Sequence, residues 1–226
     1  MTFTHFPKET FQYLKDLSAN NSKDWFEAHR EEYEAYYLEP AIDFVETLGP
    51  RLKKLSPGIG YEGRKDGRGS NQRIHRDIRF SKDKTPYKDH ITFYFWDGPD
   101  KKSTICGYYV RVEVDGTGML AGAFGFEKAT LDKYRQVVDK RGAQLQQVLD
   151  KVVGDGYRQL AESYARVPQG YPADHAHAEL LKARGLAALS PRITPGQAAS
   201  PGFLDLIEGY AAHLAPLNAW MKQELA

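Results

Sequence analysis

The spacing at which apolar residues recur changes twice along this chain, and that change limits the fold more than any single motif. Up to about residue 55 the spacing is helical, with Phe11, Leu14 and Leu17 in one run and Ile42, Val45, Leu48, Leu52 and Leu55 in another. From 73 to 126 the period shortens to two, and from 127 onward it is helical again. A period of 3.6 gathers apolar side chains on one helix face, and a period of two gathers them on one sheet face. Helices, then strands, then helices is the α+β order. Four stretches carry the strand period: residues 73–80, ITFYFW (91–96), TICGYYVRVEV (104–114) and GMLAGAFGF (118–126). Their connections are too short for helical crossovers, so a central antiparallel sheet of about four or more strands is expected. The expected organisation is a single domain, 1–226, helical over 1–55, a loop over 56–72, sheet over 73–126 and helical over 127–226.

Local signals place the ends of these elements. Pro7 suits a first helical turn, Asn20-Asn21 stops that helix, and Ser22 is a fitting N-cap for the next. Trp25, Phe26, His29, Tyr33, Tyr36 and Tyr37 then form an aromatic stripe at helical spacing, which reads as core. Pro40 ends that helix or opens the following one, and Gly49-Pro50 is expected to kink or split it. SPGIGYEGRKDGRGSNQ (56–72) has five glycines and no GxxxxGK[ST] pattern, so a flexible surface loop is expected rather than a phosphate cradle. Asp115-Gly116 suits a hairpin turn, and Gly142 a break within a helix. Further on, 166–178 is irregular, 179–189 reads as a short helix, 190–202 is turn-rich, and Pro216 interrupts a last helix running from 203 to 225.

Charge is unevenly spread. The net value is +1, yet between Arg64 and Lys88 nine Lys/Arg face only Asp66, Asp77 and Asp83. That leaves +6 in the segment and −5 elsewhere, which points to a local anionic partner rather than a surface coated for nucleic acid. Cys106 is the one cysteine, so no intrachain disulfide forms and a reducing compartment is expected. The amino terminus lacks the basic and apolar regions of a secretory signal, and no apolar run is long enough to span a bilayer. A soluble cytoplasmic protein without a membrane partner is the expectation.

The densest chemistry lies in RIHRDIRFSKDKTPYK (73–88), where six of sixteen residues are Lys or Arg. As a strand it would line one face with Arg73, His75, Asp77 and Arg79. Arg76 would fall on the side of Ile74, Ile78 and Phe80, needing a carboxylate such as Glu113 or Asp89. Lys82, Lys84, Tyr87 and Lys88 follow around Thr85-Pro86. Planar guanidiniums with mobile ammonium groups suit a phosphorylated or carboxylated ligand, either a small molecule such as a nucleotide or a nucleic acid. Competing readings are an edge strand guarded by charge and a structural ion-pair network. A third is a metal-dependent phosphoesterase on Asp77, Asp89 and Glu113.

ADHAHAELLK (173–182) offers Asp174, His175, His177 and Glu179 as metal ligands, if a helix places His175 and Glu179 on one face. The plainer reading has Asp174 as a cap and the histidines exposed, with His175 still available as an acid or base. There is no HExxH, and one cysteine rules out a thiolate set. Cys106, mid-strand between apolar positions, reads as core rather than nucleophile. No cofactor follows from the sequence.

Four segments together carry a resemblance: NNSKDWFEAHREEY (20–33), RIHRDIRFSKDKTPYK (73–88), GYYVRVEV (107–114) and RVPQGYPADHAHAELLK (166–182). In this order they resemble the DUF 2461 family of conserved proteins over almost the whole chain. The resemblance implies one compact domain and no particular activity. It carries over onto Arg73, Arg76, Asp77, Arg79, Phe80, Ser81, Lys82, Lys84, Thr85, Pro86, Tyr87 and Lys88. In the later motif it carries over onto Pro168, Gly170, Tyr171, Asp174, His175, Leu180, Leu181 and Lys182. His75 departs from the pattern, which has an aromatic such as Tyr there, and the glycine-rich 63–70 stretch is peculiar to this chain. Suspicion therefore moves from His75 to the arginines, with Asp77 and His175 as catalytic candidates and Lys182 joining the ligand-binding set.

Overall fold

The computed structural model describes residues 3–99, 101 and 105–226. Its architecture is α+β, with helices at both ends of the sequence and a six-stranded antiparallel sheet between. The strands are β1 (Ile59–Gly60), β2 (Ile91–Asp97), β3 (Gly107–Glu113), β4 (Gly116–Ala123), β5 (Arg158–Leu160) and β6 (Leu186–Leu189), in sheet order β1-β2-β3-β4-β6-β5. Three of the four expected strands are present, β2, β3 and β4. The expected start of β3 at Thr104 lies outside the described residues. The chain divides into two compact units: Met1–Phe95, Tyr109–Gly118 and Arg192–Gly209 in one, Trp96–Tyr108, Met119–Pro191 and Tyr210–Ala226 in the other.

The first unit opens with α1 (Lys8–Ala19) and α2 (Lys23–Ala28). Ser22 caps α2 as expected, its Oγ accepting from the Trp25 amide at 3.3 Å. Pro40 stands in the first turn of the following helix, as expected, but no break separates that helix from the one before it. Instead α3 (Arg30–Tyr33) runs through a π-helical turn (Glu34–Leu38) into α4 (Glu39–Leu55). The cause is local. Residue 40 would normally donate its amide to the carbonyl four residues back, Tyr36, and proline has no donor. The helix widens by one residue, with Glu39 N–H reaching Glu34 O, and the buried Thr10 hydroxyl donates to Tyr36 O at 2.6 Å. Pro50 likewise sits inside an unbroken α4, because Leu48 and Leu52 on either side of it are fully buried.

A cluster of phenylalanines forms this unit's core. Phe44 of α4 lies 4.7 Å from Phe93 of β2 between ring centroids, 5.3 Å from Phe3 and from Phe6, and 5.9 Å from Phe203. Tyr94 and Tyr109 stack at 4.2 Å as a pair from β2 and β3. Short α7 (Pro195–Ala198) is held by a capping box of Thr194 and Gln197, and Ala198 O accepts the Phe6 amide at 3.1 Å.

The expected strand at 73–80 is absent. Residues 73–90 form an irregular loop whose regular pairing is one bridge, His75 with Tyr87. Aspartates explain the loss of the ladder. Asp77 Oδ1 accepts from the Arg79 amide at 3.3 Å and Asp83 Oδ1 from the Thr85 amide at 3.0 Å, taking donors that a strand would need. Ile74 is buried, but Phe80, expected on the same apolar side, stands 94% exposed.

In the second unit α5 (Lys128–Val152) is kinked at Arg141, next to the break expected at Gly142. Tyr134 of α5 donates to Leu180 O of α6 (Ala178–Lys182) at 3.0 Å. The single helix expected over 179–189 is replaced by α6 and β6. Leu186–Leu189 pairs antiparallel with β4, Leu120 opposite Leu189 and Gly122 opposite Ala187, and with β5 on its other side. The backbone comes so close at Gly122 (φ 104°) that a Cβ there would stand 2.1 Å from Leu186 O. Pairing thus overrides the helical preference of an Ala/Leu run. The last helix, α8 (Phe203–Leu225), passes through Pro216 uninterrupted, with buried Leu214 and Leu217 flanking it. No helix among the described residues is long and apolar enough to cross a membrane.

Candidate functional site

In the first unit a cavity of about 380 Å³ is lined by Phe26, Arg30, Tyr33, Glu34, Tyr37, Leu38, Lys65, Asp66, Gly67, Asn71, Gln72, Arg73, Ile74 and His75. That volume lies within the range of small-molecule sites. Three separate stretches of sequence supply its walls, and each is held by a recognisable device.

The aromatic stripe supplies the first wall. Phe26 and Tyr37 are buried as expected, but Tyr33 is only half-buried, and one edge of the stripe faces the cavity rather than packed core. Tyr33 lies 5.0 Å from Phe26 and 5.2 Å from Tyr37 between centroids. Burial raises the Tyr33 phenol above its usual range, so it stays a neutral hydroxyl. Arg30 lies 5.6 Å over the Phe26 ring and is paired with Glu27 at 3.2 Å.

The glycine-rich loop supplies the second wall, and it is pinned rather than free. Ser70 Oγ accepts from the Glu62 amide at 3.2 Å. The Asn71 side chain accepts from Arg64 N–H at 2.9 Å and donates to Arg64 O at 2.6 Å. Arg64 grips Asp66 through Nε and Nη2 at 2.9 and 2.7 Å, which holds that carboxyl far below its ordinary range. Gly67, at φ 67°, accepts the Arg73 amide at 3.2 Å. A Cβ at Gly67 would stand 2.5 Å from the Arg73 backbone.

The third wall is the start of the basic motif, and it divides that motif into parts with different duties. Arg73 and His75 line the cavity. Lys88 donates to Arg73 O at 2.9 Å and so fixes the Arg73 backbone; burial, with Arg73 and Arg111 nearby, lowers the Lys88 ammonium. Tyr87 is buried, stacked 4.2 Å from Phe26. Its amide and carbonyl are both met by Asn21, which accepts at 3.1 Å and donates at 2.9 Å. Asn21 thus acts as a one-residue strand partner, a role beyond the helix stop its position suggested.

Arg76 finds neither Glu113 nor Asp89. Its guanidinium donates to Asp83 and to the Thr85 hydroxyl, closing the neck of the loop. Arg79 grips Asp77 at 2.9 and 2.6 Å. Lys84 donates to Ile78 O at 2.8 Å, and Lys82 is exposed without an ion pair among the described residues. The Arg79 side chain holds the Asp77 carboxyl down at about 2, and the Arg76 side chain does the same for Asp83. A carboxylate so engaged is a weak proton acceptor, and its geometry suits orienting the arginine. Asp77, Asp89 and Glu113 each have different partners: Arg79 for Asp77, the His90 ring for Asp89, and Arg111 with Arg192 for Glu113.

The loop neck therefore has a pH signature. Asp83 binds its proton more weakly folded (about 2) than unfolded (about 4), so its hold on Arg76 and Thr85 is complete above the unfolded value. It is lost as pH falls through the folded one. The Thr85 amide resonance should titrate with a midpoint near 2, and a midpoint near 4 would show that Asp83 is unengaged.

His175 and Lys182 belong to the second unit. His175 lies in the turn before α6, so it and Glu179 do not share a helical face. Its Nδ1 accepts the His177 amide at 3.0 Å and its Nε2 lies 3.3 Å from Asp139, so both ring nitrogens are committed. Lys182 pairs with Glu179 at 2.6 Å. Among the described residues no group of three or more His, Cys, Asp or Glu is arranged to hold a metal ion. Cys106 is buried, which pushes its thiol up to about 12 and fits the expected core role.

The fold and this cavity define an α+β protein with an aromatic, cation-bearing recess in its first unit. The chain belongs to the family described as "Conserved hypothetical protein (DUF2461)", which it matches over residues 9–220. No curated protein matches it.

Proposed function

We propose that the recess binds a phosphate-bearing ligand of nucleotide size, with Arg73 and Lys65 taking the phosphate. One observation carries this reading. Most arginines of the basic segment are neutralised by a neighbouring carboxylate, whereas Arg73 and Lys65 line the cavity with no carboxylate partner among the described residues. Cations left uncompensated in a concave site favour an anion. Tyr33 and His75 offer ring surface beside them, and the Glu34 carboxylate can accept from hydroxyl or amino groups of the same ligand.

The ion-pair reading of the motif applies to its other half. Arg76, Asp83 and Thr85 close the loop neck, and Asp77 orients Arg79. In this division of labour the neck shapes the loop, and Arg73 meets the ligand.

Isothermal titration of nucleoside monophosphates and inorganic phosphate into the wild type and Arg73→Ala tests the assignment. A charge-assisted bond contributes about 1.5–3 kcal/mol, so the variant should bind roughly 10- to 150-fold more weakly with an unchanged melting temperature. Equal affinity in the two proteins would overturn it.

A further inference from the structure

Phe80 stands at the tip of the 73–90 loop with 94% of its surface exposed, although soluble proteins bury most phenylalanines. Its neighbours in the sequence are rich in cations. The Arg79 guanidinium lies 5.7 Å from the ring centroid, and Lys82 and Lys84 follow directly in sequence. The two aspartates of the loop are taken up by its arginines, Asp77 by Arg79 and Asp83 by Arg76 and Thr85, which leaves Lys82 and Lys84 as its uncompensated charge. Among the described residues Lys84 is bonded only to a neutral carbonyl, and Lys82 has no bond.

We propose that the ligand of this site is a single strand of nucleic acid, for which Phe80 is a second stacking platform outside the cavity. This rests on the reading of the cavity as a nucleotide site. An exposed ring beside cations is the arrangement that holds a base by stacking and its phosphates by charge, without reading sequence. One ring offers a bilayer little apolar area, and protein interfaces are depleted of lysines such as Lys82 and Lys84.

The chain sets the length of strand required. Five residues separate His75 at the cavity from Phe80, and an extended chain spans at most about 3.6 Å per residue, so the two stand no more than roughly 18 Å apart. Six nucleotides at about 3.4 Å each cover that distance even when stacked. A mononucleotide fills the cavity alone and leaves Phe80 bare.

The test compares uridine monophosphate with a fluorescein-labelled oligouridylate of six nucleotides, by titration and anisotropy, on the wild type, Phe80→Ala and Arg73→Ala. The hexamer should bind the wild type at least tenfold more tightly than the monomer. Phe80→Ala should remove about that factor while leaving monomer affinity and melting temperature unchanged. Hexamer and monomer of equal affinity, or a hexamer indifferent to Phe80→Ala, would overturn the proposal while leaving the cavity reading intact. Hexamer binding that needs Phe80 but ignores Arg73→Ala would overturn the cavity reading and retain the platform. Phe80-dependent binding to vesicles of phosphatidylcholine and phosphatidylserine, without oligonucleotide binding, would overturn the nucleic-acid assignment in favour of a membrane surface.

Discussion

Truncation of Phe44 to alanine is expected to destabilise the protein by about 3–5 kcal/mol, the range found for fully buried aromatic residues. Phe44 has no exposed surface, and five rings lie within 6.3 Å of its centroid: Phe3, Phe6, Phe93, Phe95 and Phe203. These partners come from the amino-terminal segment, β2 and the start of α8, so the void could not be closed by moving one element. Close packing leaves such a cavity largely unrelaxed. A loss of that size is a large part of the roughly 5–15 kcal/mol by which a domain is stable. Phe80 provides the internal comparison, because the same residue type at 94% exposure should tolerate alanine within about 0.5 kcal/mol. Urea denaturation of the two variants measures both. A Phe44→Ala midpoint close to that of the wild type would mean that the ring cluster does not form.

The elements read correctly from sequence are those whose own face is amphipathic. α1, α4 and α5 declare themselves by the spacing of Leu14 and Leu17, of Val45, Leu48 and Leu52, and of Leu145 and Leu149, all buried. β2 and β3 do so by alternation around Phe93, Phe95, Val110 and Val112. The failures share a cause. In 73–80 the alternation is genuine, but periodicity cannot register that Asp77 and Asp83 take backbone amides away from a ladder. In 186–189 a helix-forming composition yields to pairing with β4 and β5, which lie far away in sequence.

The candidate site was half legible for a related reason. Periodicity around Phe26, Tyr33 and Tyr37 tells which side of a helix turns inward, not whether the space it faces is filled. Arg73 stood out by its neighbours in the motif, whereas Lys65 sat in a loop whose glycines suggested freedom. The signal that could have corrected this was already present. Asn71 and Ser70, at the end of that loop, are short polar side chains of the kind that bind backbone and make loops rigid.

Gly67 shows how much rests on that rigidity. Alanine at φ 67° costs about 1–2 kcal/mol from the backbone alone. Its Cβ would also meet Arg73 Cα and N, both at 2.5 Å, and backbone cannot swing aside as a flexible side chain can. Overpacking of this kind adds about 1–3 kcal/mol. Gly67→Ala should therefore lose roughly 3 kcal/mol of stability. The strain is relieved only by moving residues 64–67 away from Arg73, which parts Lys65 from Arg73 and weakens any anion held between them by about tenfold or more. Gly170 separates the two contributions, because it too has positive φ (98°) but nothing lies within 4 Å of the position a Cβ would take. Gly170→Ala should show the backbone cost and no change in ligand affinity. Nucleotide titration and thermal melting of both variants decide the matter. Wild-type affinity in Gly67→Ala would show that the loop does not position the site, and would remove Lys65 from it.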